Sequence, residues 1–107
     1  MKGDRLGEFE ELTLLAIRAV GPLAYGVPIQ QFIEKTAARN VTMGAVYAAL
    51  DRLEDKGFVR SEFGEATAQR GGKARRHFEV TPLGMRTIKE LRATRERIWR
   101  AIEGRSS

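Results

Sequence analysis

Hydrophobic side chains recur at helical spacing in the first part of the chain. The stretch Glu8–Val20 is apolar on two nearly opposite sides, one with Phe9 and Leu12 and the other with Leu14 and Ile17. A helix in so small a domain buries two faces only when something beyond its own core covers the second. The pattern therefore predicts a helix with one side in the core and the other against a partner subunit.

Two further helices are predicted before the middle of the chain. The second spans residues 26–36. The third begins after Thr42, which is a favourable N-cap, and ends at Gly57, which suits a left-handed C-cap. The buried stripe of the third helix consists of Val46, Ala49, Leu50 and Leu53.

The outward face of the third helix is built from small residues. Gly44 and Ala48 point away from the buried stripe, and Tyr47 lies on its shoulder. The C-terminal half of this helix is acidic, whereas the half that starts at Thr42 carries no acid. If the ligand is DNA, the N-terminal half with Tyr47 is therefore the part that enters the groove.

Two strands with a basic loop between them follow the third helix. The strands are predicted over residues 58–63 and 75–81, and the glycine-containing loop over residues 64–74. Four cations lie within seven residues, with no acid among them: Arg70, Lys73, Arg75 and Arg76. Cations on a flexible tip can follow a phosphate backbone. A solvated hairpin tip is the alternative interpretation.

The last helix is predicted to be long and amphipathic. Thr81 as N-cap and Pro82 at the first helical position start it, and it runs to about residue 103, which gives roughly 30 Å at 1.5 Å per residue. Its apolar stripe has nearly heptad spacing and consists of Ile88, Leu91, Ile98, Trp99 and Ile102. Such a stripe predicts helix packing between subunits.

One charged residue, Arg95, lies in the middle of that stripe. Because a charge at an interface needs a partner, we expect Arg95 to pair across the dimer with Glu8 or Glu11 of the partner's first helix. Trp99, one turn further along, is most simply an interface anchor, with a ligand-stacking role as the alternative.

The composition of the chain limits the classes of function that the protein can have. A length of 107 residues with 42% hydrophobic content predicts one domain, and a formal net charge of +5 favours a polyanionic partner. With no cysteine and one histidine, no disulfide, metal site, cofactor or catalytic constellation is expected, so the protein is not an enzyme. The sequence has no signal peptide and no run of 18 apolar residues, which predicts a cytoplasmic protein without a membrane segment.

The basic segments allow two other interpretations. The glycine pair in R-G-G-K lacks the G-x-x-x-x-G-K-[ST] pattern of a nucleotide-binding loop, so that interpretation is discarded. A basic protein-interaction or membrane-surface module without DNA specificity stays open as the alternative function. The acids that interrupt the basic residues of the last helix make it the weaker of the two.

Four segments of the chain resemble the PadR family of transcriptional regulators. They are L-G-E-F-E-E-L-T-L-L-A-I from Leu6, A-Y-G-V-P-I from Ala24, G-A-V-Y-A-A-L-D-R-L-E-D-K-G-F-V from Gly44 and G-G-K-A-R-R-H-F-E-V-T-P-L-G from Gly71. Together they span most of the chain in the family's order, and the single C-terminal helix is similar to the family's short subfamily. The order of elements is that of a winged helix-turn-helix, which is an α+β, mainly α fold.

The resemblance implies a winged helix-turn-helix DNA-binding domain over residues 5–81, a dimerisation helix over residues 82–104 and a tail over residues 105–107. It also implies a homodimeric repressor of a pseudo-palindromic operator, with half-sites about 10 base pairs or a multiple apart. Several members of the family release DNA when phenolic or drug-like compounds bind near the dimer seam, which makes a small aromatic effector a further expectation.

The resemblance also assigns roles to residues. Contacts with double-stranded DNA are expected from Thr42, Gly44, Tyr47, Ala48, Arg70, Lys73, Arg75 and Arg76. The dimer interface is expected to contain Phe9, Leu12, Leu91, Arg95, Ile98, Trp99 and Ile102.

Overall fold

A computed structural model describes residues 5–64 and 75–105 of the chain. Its elements follow one another in the order α1 Glu8–Val20, α2 Gly26–Ala37, α3 Met43–Asp55, β1 Val59–Phe63, β2 Arg76–Val80 and α4 Pro82–Arg105. This order is the winged helix-turn-helix that the hydrophobic pattern predicts, and the architecture is mainly α.

The ends of the helices are set by local signals. The hydroxyl of Thr42 accepts a hydrogen bond from the backbone N–H of Ala45, 3.1 Å away, and so caps α3. Gly57 follows α3 with a φ of 82°, a left-handed conformation that glycine adopts without strain. At the start of α4, the hydroxyl of Thr81 accepts a hydrogen bond from Gly84 N–H. The helix continues to Arg105, slightly beyond the predicted end.

The two strands form an antiparallel hairpin whose register runs from Val59 opposite Val80 to Phe63 opposite Arg76. Phe78 of β2 also donates its backbone N–H to the carbonyl of Ala24, 2.8 Å away, which ties the hairpin to the connection between α1 and α2. The hairpin is therefore attached through the middle of β2 to the helical part of the domain.

The core lies between the first three helices and the inner face of the hairpin. Leu14 and Ile17 are the side of α1 that faces inward, and both are almost completely buried. The other members of this cluster with less than 2% exposure include Ile29, Val46, Leu50 and Leu53 from α2 and α3. The predicted buried stripe of α3 is thereby confirmed.

The last helix extends away from this core. Only Gly84 and Ile88 are buried among its described residues, and the molecule measures 62 × 30 × 22 Å. From residue 92 onward nearly every side chain of α4 is exposed. Within residues 5–64 and 75–105, no helix has the combination of length and apolar character needed to cross a membrane.

Candidate nucleic-acid interface

The outward surface of the first turns of α3 consists mainly of small residues. Gly44, Ala48 and Tyr47 are exposed, and Thr42 lies at the exposed helix start. The first turn contains no acidic residue. A helix N-terminus without neighbouring acids favours approach of an anion such as a DNA phosphate.

Tyr47 combines packing with exposure. Its side chain retains 41% exposure, yet its hydroxyl lies so close to the first turn of α2 that a Cβ at Gly26 would be only 2.5 Å from the Oη atom. The ring of Tyr47 is therefore fixed at the junction of α2 and α3, and one side of it faces solvent.

The turn between α2 and α3 is held by side chains of α2. Gln30 donates to the carbonyl oxygen of Val41 at 2.7 Å, and Glu34 accepts from the Val41 backbone N–H at 3.1 Å. Ala38 turns the chain with a left-handed φ of 53°. Since both polar backbone groups of Val41 are bonded, the start of α3 has a fixed orientation relative to α2.

The C-terminal end of α3 is bound to α1 through a buried acid. Glu10 contacts Arg52 Nε at 2.6 Å and Lys56 Nζ at 2.7 Å, and it also accepts from the backbone N–H of Gly7. Burial alone would raise the pKa of Glu10, but the hydrogen bonds from Lys56, Arg52 and Gly7 outweigh it and lower the pKa to about 2. The charge of Arg52 is thereby compensated within the domain.

Arg76, expected to contact DNA, lies in a network that joins β2 to α3. Its guanidinium is 2.5 Å from Glu54 and 3.5 Å from Asp51, and its Nε donates to the hydroxyl of Ser61. The Ser61 hydroxyl and Arg76 lower the pKa of the Glu54 carboxyl, against the effect of its partial burial. These contacts give Arg76 a structural function at the loop end of the hairpin.

Arg75, its neighbour on the chain, lies on the other side of the strand. Its guanidinium carbon is 3.8 Å from the centre of the Tyr25 ring, and His77 approaches the same ring edge-on with centroids 6.2 Å apart. The carbonyl oxygen of Arg75 accepts from the backbone N–H of Gly64, the last bond of the hairpin before the basic loop. Arg70 and Lys73, the other expected DNA contacts, lie outside the described residues.

A groove of about 420 Å³ separates α1 from α4. Leu15, Ile88 and Trp99 are among its apolar lining residues. Across it, Arg95 Nη2 is 2.6 Å from Glu11 Oε1 of the same chain. The expected pair between Arg95 and a partner's acid is therefore corrected: Glu11 is the acid, but α4 runs back beside α1 and brings the two together within one subunit.

The other residues expected at the dimer interface lie in different surroundings. Phe9 packs against the core of its own chain, and the Arg39 guanidinium is 5.5 Å from the centre of its ring. Leu12 and Leu91 are half-buried. Ile98, Trp99 and Ile102 are exposed along α4, Trp99 by 61%.

Two residues of these surfaces, Leu15 and Tyr25, were not predicted from the sequence to have a role there. Leu15 lines the groove between α1 and α4, and its place four residues after Glu11 on a helix was a usable signal. Tyr25 reads as an ordinary residue of a helix connection. Its contact with Arg75 joins residues 50 positions apart in the sequence, and no local pattern indicates such a contact.

Known proteins share this sequence pattern and this fold. The sequence profile of the "Transcriptional regulator PadR-like family" matches residues 14–90. A PadR-like transcription factor from Bacteroides fragilis superposes with a TM-score of 0.74 at 25% identity, covering 90% of this chain and 87% of that one. A PadR-like transcriptional regulator from Bacillus cereus superposes with a TM-score of 0.70 at 18% identity, covering 90% and 88%. No curated protein matches the sequence.

The profile match extends from α1 through the helix-turn-helix and the hairpin into α4, which is well over half of the chain. The fold agrees with it, since three helices, a two-stranded hairpin and one long final helix are shared with the Bacteroides fragilis protein over most of both chains. The family is one of regulators and not of enzymes. This chain therefore belongs to the PadR-like family of transcriptional regulators.

Proposed function

We propose that the protein is a homodimeric repressor that binds a pseudo-palindromic DNA operator. Membership of the family implies DNA binding. To this we add that the protein represses transcription, forms a dimer and binds a specific DNA sequence. The observation that carries it is the acid-free, small-residue surface at the start of α3, where Gly44, Tyr47 and Ala48 are exposed together. Apart from Tyr47, the exposed side chains of this surface are small and none is acidic, which allows the helix to lie close to base edges in a major groove.

Within this proposal, α3 and the hairpin have different tasks. The N-terminal half of α3, with Thr42 and Tyr47, reads base edges, and the wing, meaning β1, β2 and the loop between them, holds the phosphate backbone. Among the wing cations, Arg70, Lys73 and Arg75 contact phosphates. Arg76 instead fixes the wing to α3, because its charge is already paired with Glu54.

The proposed dimer is formed by α4 packed against α1 and α4 of a second subunit. Ile98, Trp99 and Ile102 are large apolar side chains exposed on the part of α4 that extends beyond the core. Such a stripe gains free energy when a second copy removes it from water. Two-fold symmetry then places the two α3 helices on half-sites about 10 base pairs or a multiple apart.

The proposal includes a small aromatic effector at the dimer seam. Trp99 at the rim of the groove between α1 and α4 offers a flat face for stacking, and Leu15 supplies an apolar wall. As the chain contains one tryptophan, its fluorescence reports directly on this position. Quenching by phenolic compounds that also weaken DNA binding supports the effector site, and unchanged fluorescence across such compounds removes it.

Selection of bound duplexes from a random DNA pool tests the main proposal. We expect enrichment of a palindromic consensus with half-sites in the spacing given above. A pool that does not change over successive rounds contradicts sequence-specific binding. Pelleting with anionic vesicles tests the alternative of a basic membrane-surface module, which predicts binding to vesicles and no preference among duplexes.

A further inference from the structure

The environment of Arg75 differs from that of the other arginines on the two strands. Arg60 pairs with Glu79 at 2.8 Å, and Arg76 pairs with Glu54 at 2.5 Å. No carboxylate within residues 5–64 and 75–105 pairs with Arg75, whose described side-chain contact is the face of Tyr25. The charge of Arg75 is thus stacked but not neutralised by the part of the chain that the structure describes.

Stacking on an aromatic face leaves the edges of a guanidinium available. An arginine over a ring uses its π-surface, while its N–H groups point outward in the guanidinium plane, where they can donate to phosphate oxygens. At 3.8 Å from the ring centre the guanidinium of Arg75 is in van der Waals contact with Tyr25. Such an arginine loses less side-chain conformational entropy when it binds a phosphate than an arginine that is free in solvent.

Tyr25 is itself held in place from three sides. Its carbonyl oxygen accepts from the Ile29 N–H in the first turn of α2, and the preceding residue, Ala24, is bonded to Phe78 of β2. The His77 ring lies perpendicular to the Tyr25 ring, with centroids 6.2 Å apart. The backbone of Tyr25 thus has a fixed position relative to both α2 and the wing, and His77 restricts the movement of its ring.

We propose that Tyr25 is the positioning residue of a phosphate contact made by Arg75. The inference rests on the proposed DNA-binding function and adds to it a residue outside α3 and the wing. Tyr25 does not touch DNA in this arrangement; it acts by holding the guanidinium where the wing strands meet the loop. Its contribution is therefore independent of DNA sequence and exists only while residue 75 is an arginine.

The experiment is a double-mutant cycle on the full chain with a mixed-sequence DNA duplex, titrated at several salt concentrations. Arg75→Ala should weaken binding and lower the magnitude of the log-log salt slope by about one per subunit. Tyr25→Leu should weaken binding about two- to fivefold in the wild-type background and not at all in the Arg75→Ala background. Tyr25→Phe keeps the ring and should restore most of the affinity.

Circular dichroism and thermal unfolding measurements check that each variant is folded. Should Tyr25→Leu fail to fold, Arg75→Lys serves in its place, because lysine keeps the charge but lacks the planar group. It should preserve the salt slope and bind more weakly than wild type. Wild-type affinity of Arg75→Lys contradicts a role for stacking.

The remaining outcomes separate this inference from the proposed function. If Tyr25→Leu weakens binding equally with and without Arg75, Tyr25 acts elsewhere and the inference is wrong. If Arg75→Ala leaves the salt slope unchanged while wild type binds, the phosphate contact is wrong and DNA binding stands. If wild type binds no duplex at any salt concentration, the proposed function fails and the inference with it.

Discussion

At the scale of single residues, Gly84 determines how closely α4 approaches the hairpin. A Cβ at this position would overlap the carbonyl oxygen of Phe58 and lie 2.7 Å from Cγ1 of Val80. The hydroxyl of Thr81 bonds both the Gly84 N–H and the Gly57 carbonyl oxygen, which holds the first turn of α4 in this position. The lack of a side chain at residue 84 is therefore a packing requirement.

We expect Gly84→Ala to destabilise the protein by about 1–3 kcal/mol, because the added methyl group meets backbone that cannot move without opening the hairpin. Gly104→Ala is the matched control in the same helix, since a Cβ there would have no atom of another element within 4 Å. It should be neutral or stabilise by up to about 1 kcal/mol. Urea unfolding measures both, and similar values for the two variants would contradict the close approach at Gly84.

Glu10 gives the stability a predictable dependence on pH. The pKa of its carboxyl falls from 4.5 to about 2 on folding, so the folded state binds this proton less readily than the unfolded state. Its contribution to stability is complete above about pH 5 and is lost as the pH falls toward 2. We expect Glu10→Gln to lower the free energy of unfolding at neutral pH by about 2–3 kcal/mol, allowing for solvent around the half-exposed Arg52.

Unfolding of wild type and Glu10→Gln from pH 7 to pH 3 measures this contribution. The difference between them should be constant above pH 5 and should shrink below pH 4.5. The exposed Glu62→Gln corrects for the change in net charge. A difference that does not vary with pH would show that Glu10 stabilises the protein by packing and not by its charge.

At the scale of elements, local signals and long-range contacts differ in how far the sequence predicts them. The bounds of α1 and the cap of α3 at Thr42 are confirmed, because both depend on residues within a few positions of each other. The pairing of Arg95 with Glu11 of its own chain was not predictable. It depends on the direction in which α4 leaves the hairpin, and periodicity carries no information on that direction.

The same limit applies to Arg75, which directly precedes β2, and Arg76, which begins it. In the sequence, Arg75 and Arg76 are equivalent members of a basic run. Because successive side chains of a strand point to opposite faces, one reaches Tyr25 and the other reaches Glu54. Only the tertiary structure, which places Tyr25 on one side of the strand and Glu54 of α3 on the other, distinguishes them.

The contacts of Arg76 predict a loss of stability and not of phosphate binding. Arg76→Ala should lower the free energy of unfolding by about 1 kcal/mol, because Glu54 loses a partly buried partner. Arg60→Ala is the matched control on the other strand, since its pair with Glu79 is well exposed and should contribute less than about 0.5 kcal/mol. Thermal unfolding measures the difference. A reduced salt slope of DNA binding in Arg76→Ala would return Arg76 to the phosphate contacts.

At the scale of the whole molecule, the shape follows from where apolar surface is buried. The helix-turn-helix and the hairpin enclose one core, while α4 extends beyond it to give a long axis of 62 Å. The projecting part of α4 exposes three large apolar side chains, those of Ile98, Trp99 and Ile102. Within the part of the chain that the structure describes, these side chains remain largely accessible to solvent. The arrangement supports a dimer in which α4 is the shared element.

We therefore expect Trp99→Glu to convert the proposed dimer to a monomer, because a charge at the proposed interface must be desolvated for the helices to pack, at a cost of several kcal/mol if it stays ionised. Leu23→Glu is the matched control, since Leu23 is exposed at 70% but lines a groove with Pro22 and residues of β1 and β2, and with none of α4. Sedimentation equilibrium should show monomer for the first variant and dimer for the second. DNA binding should weaken only in the first, because its two DNA-binding domains are no longer held together. A Trp99→Glu protein that stays dimeric with unchanged stability would place the interface on another surface.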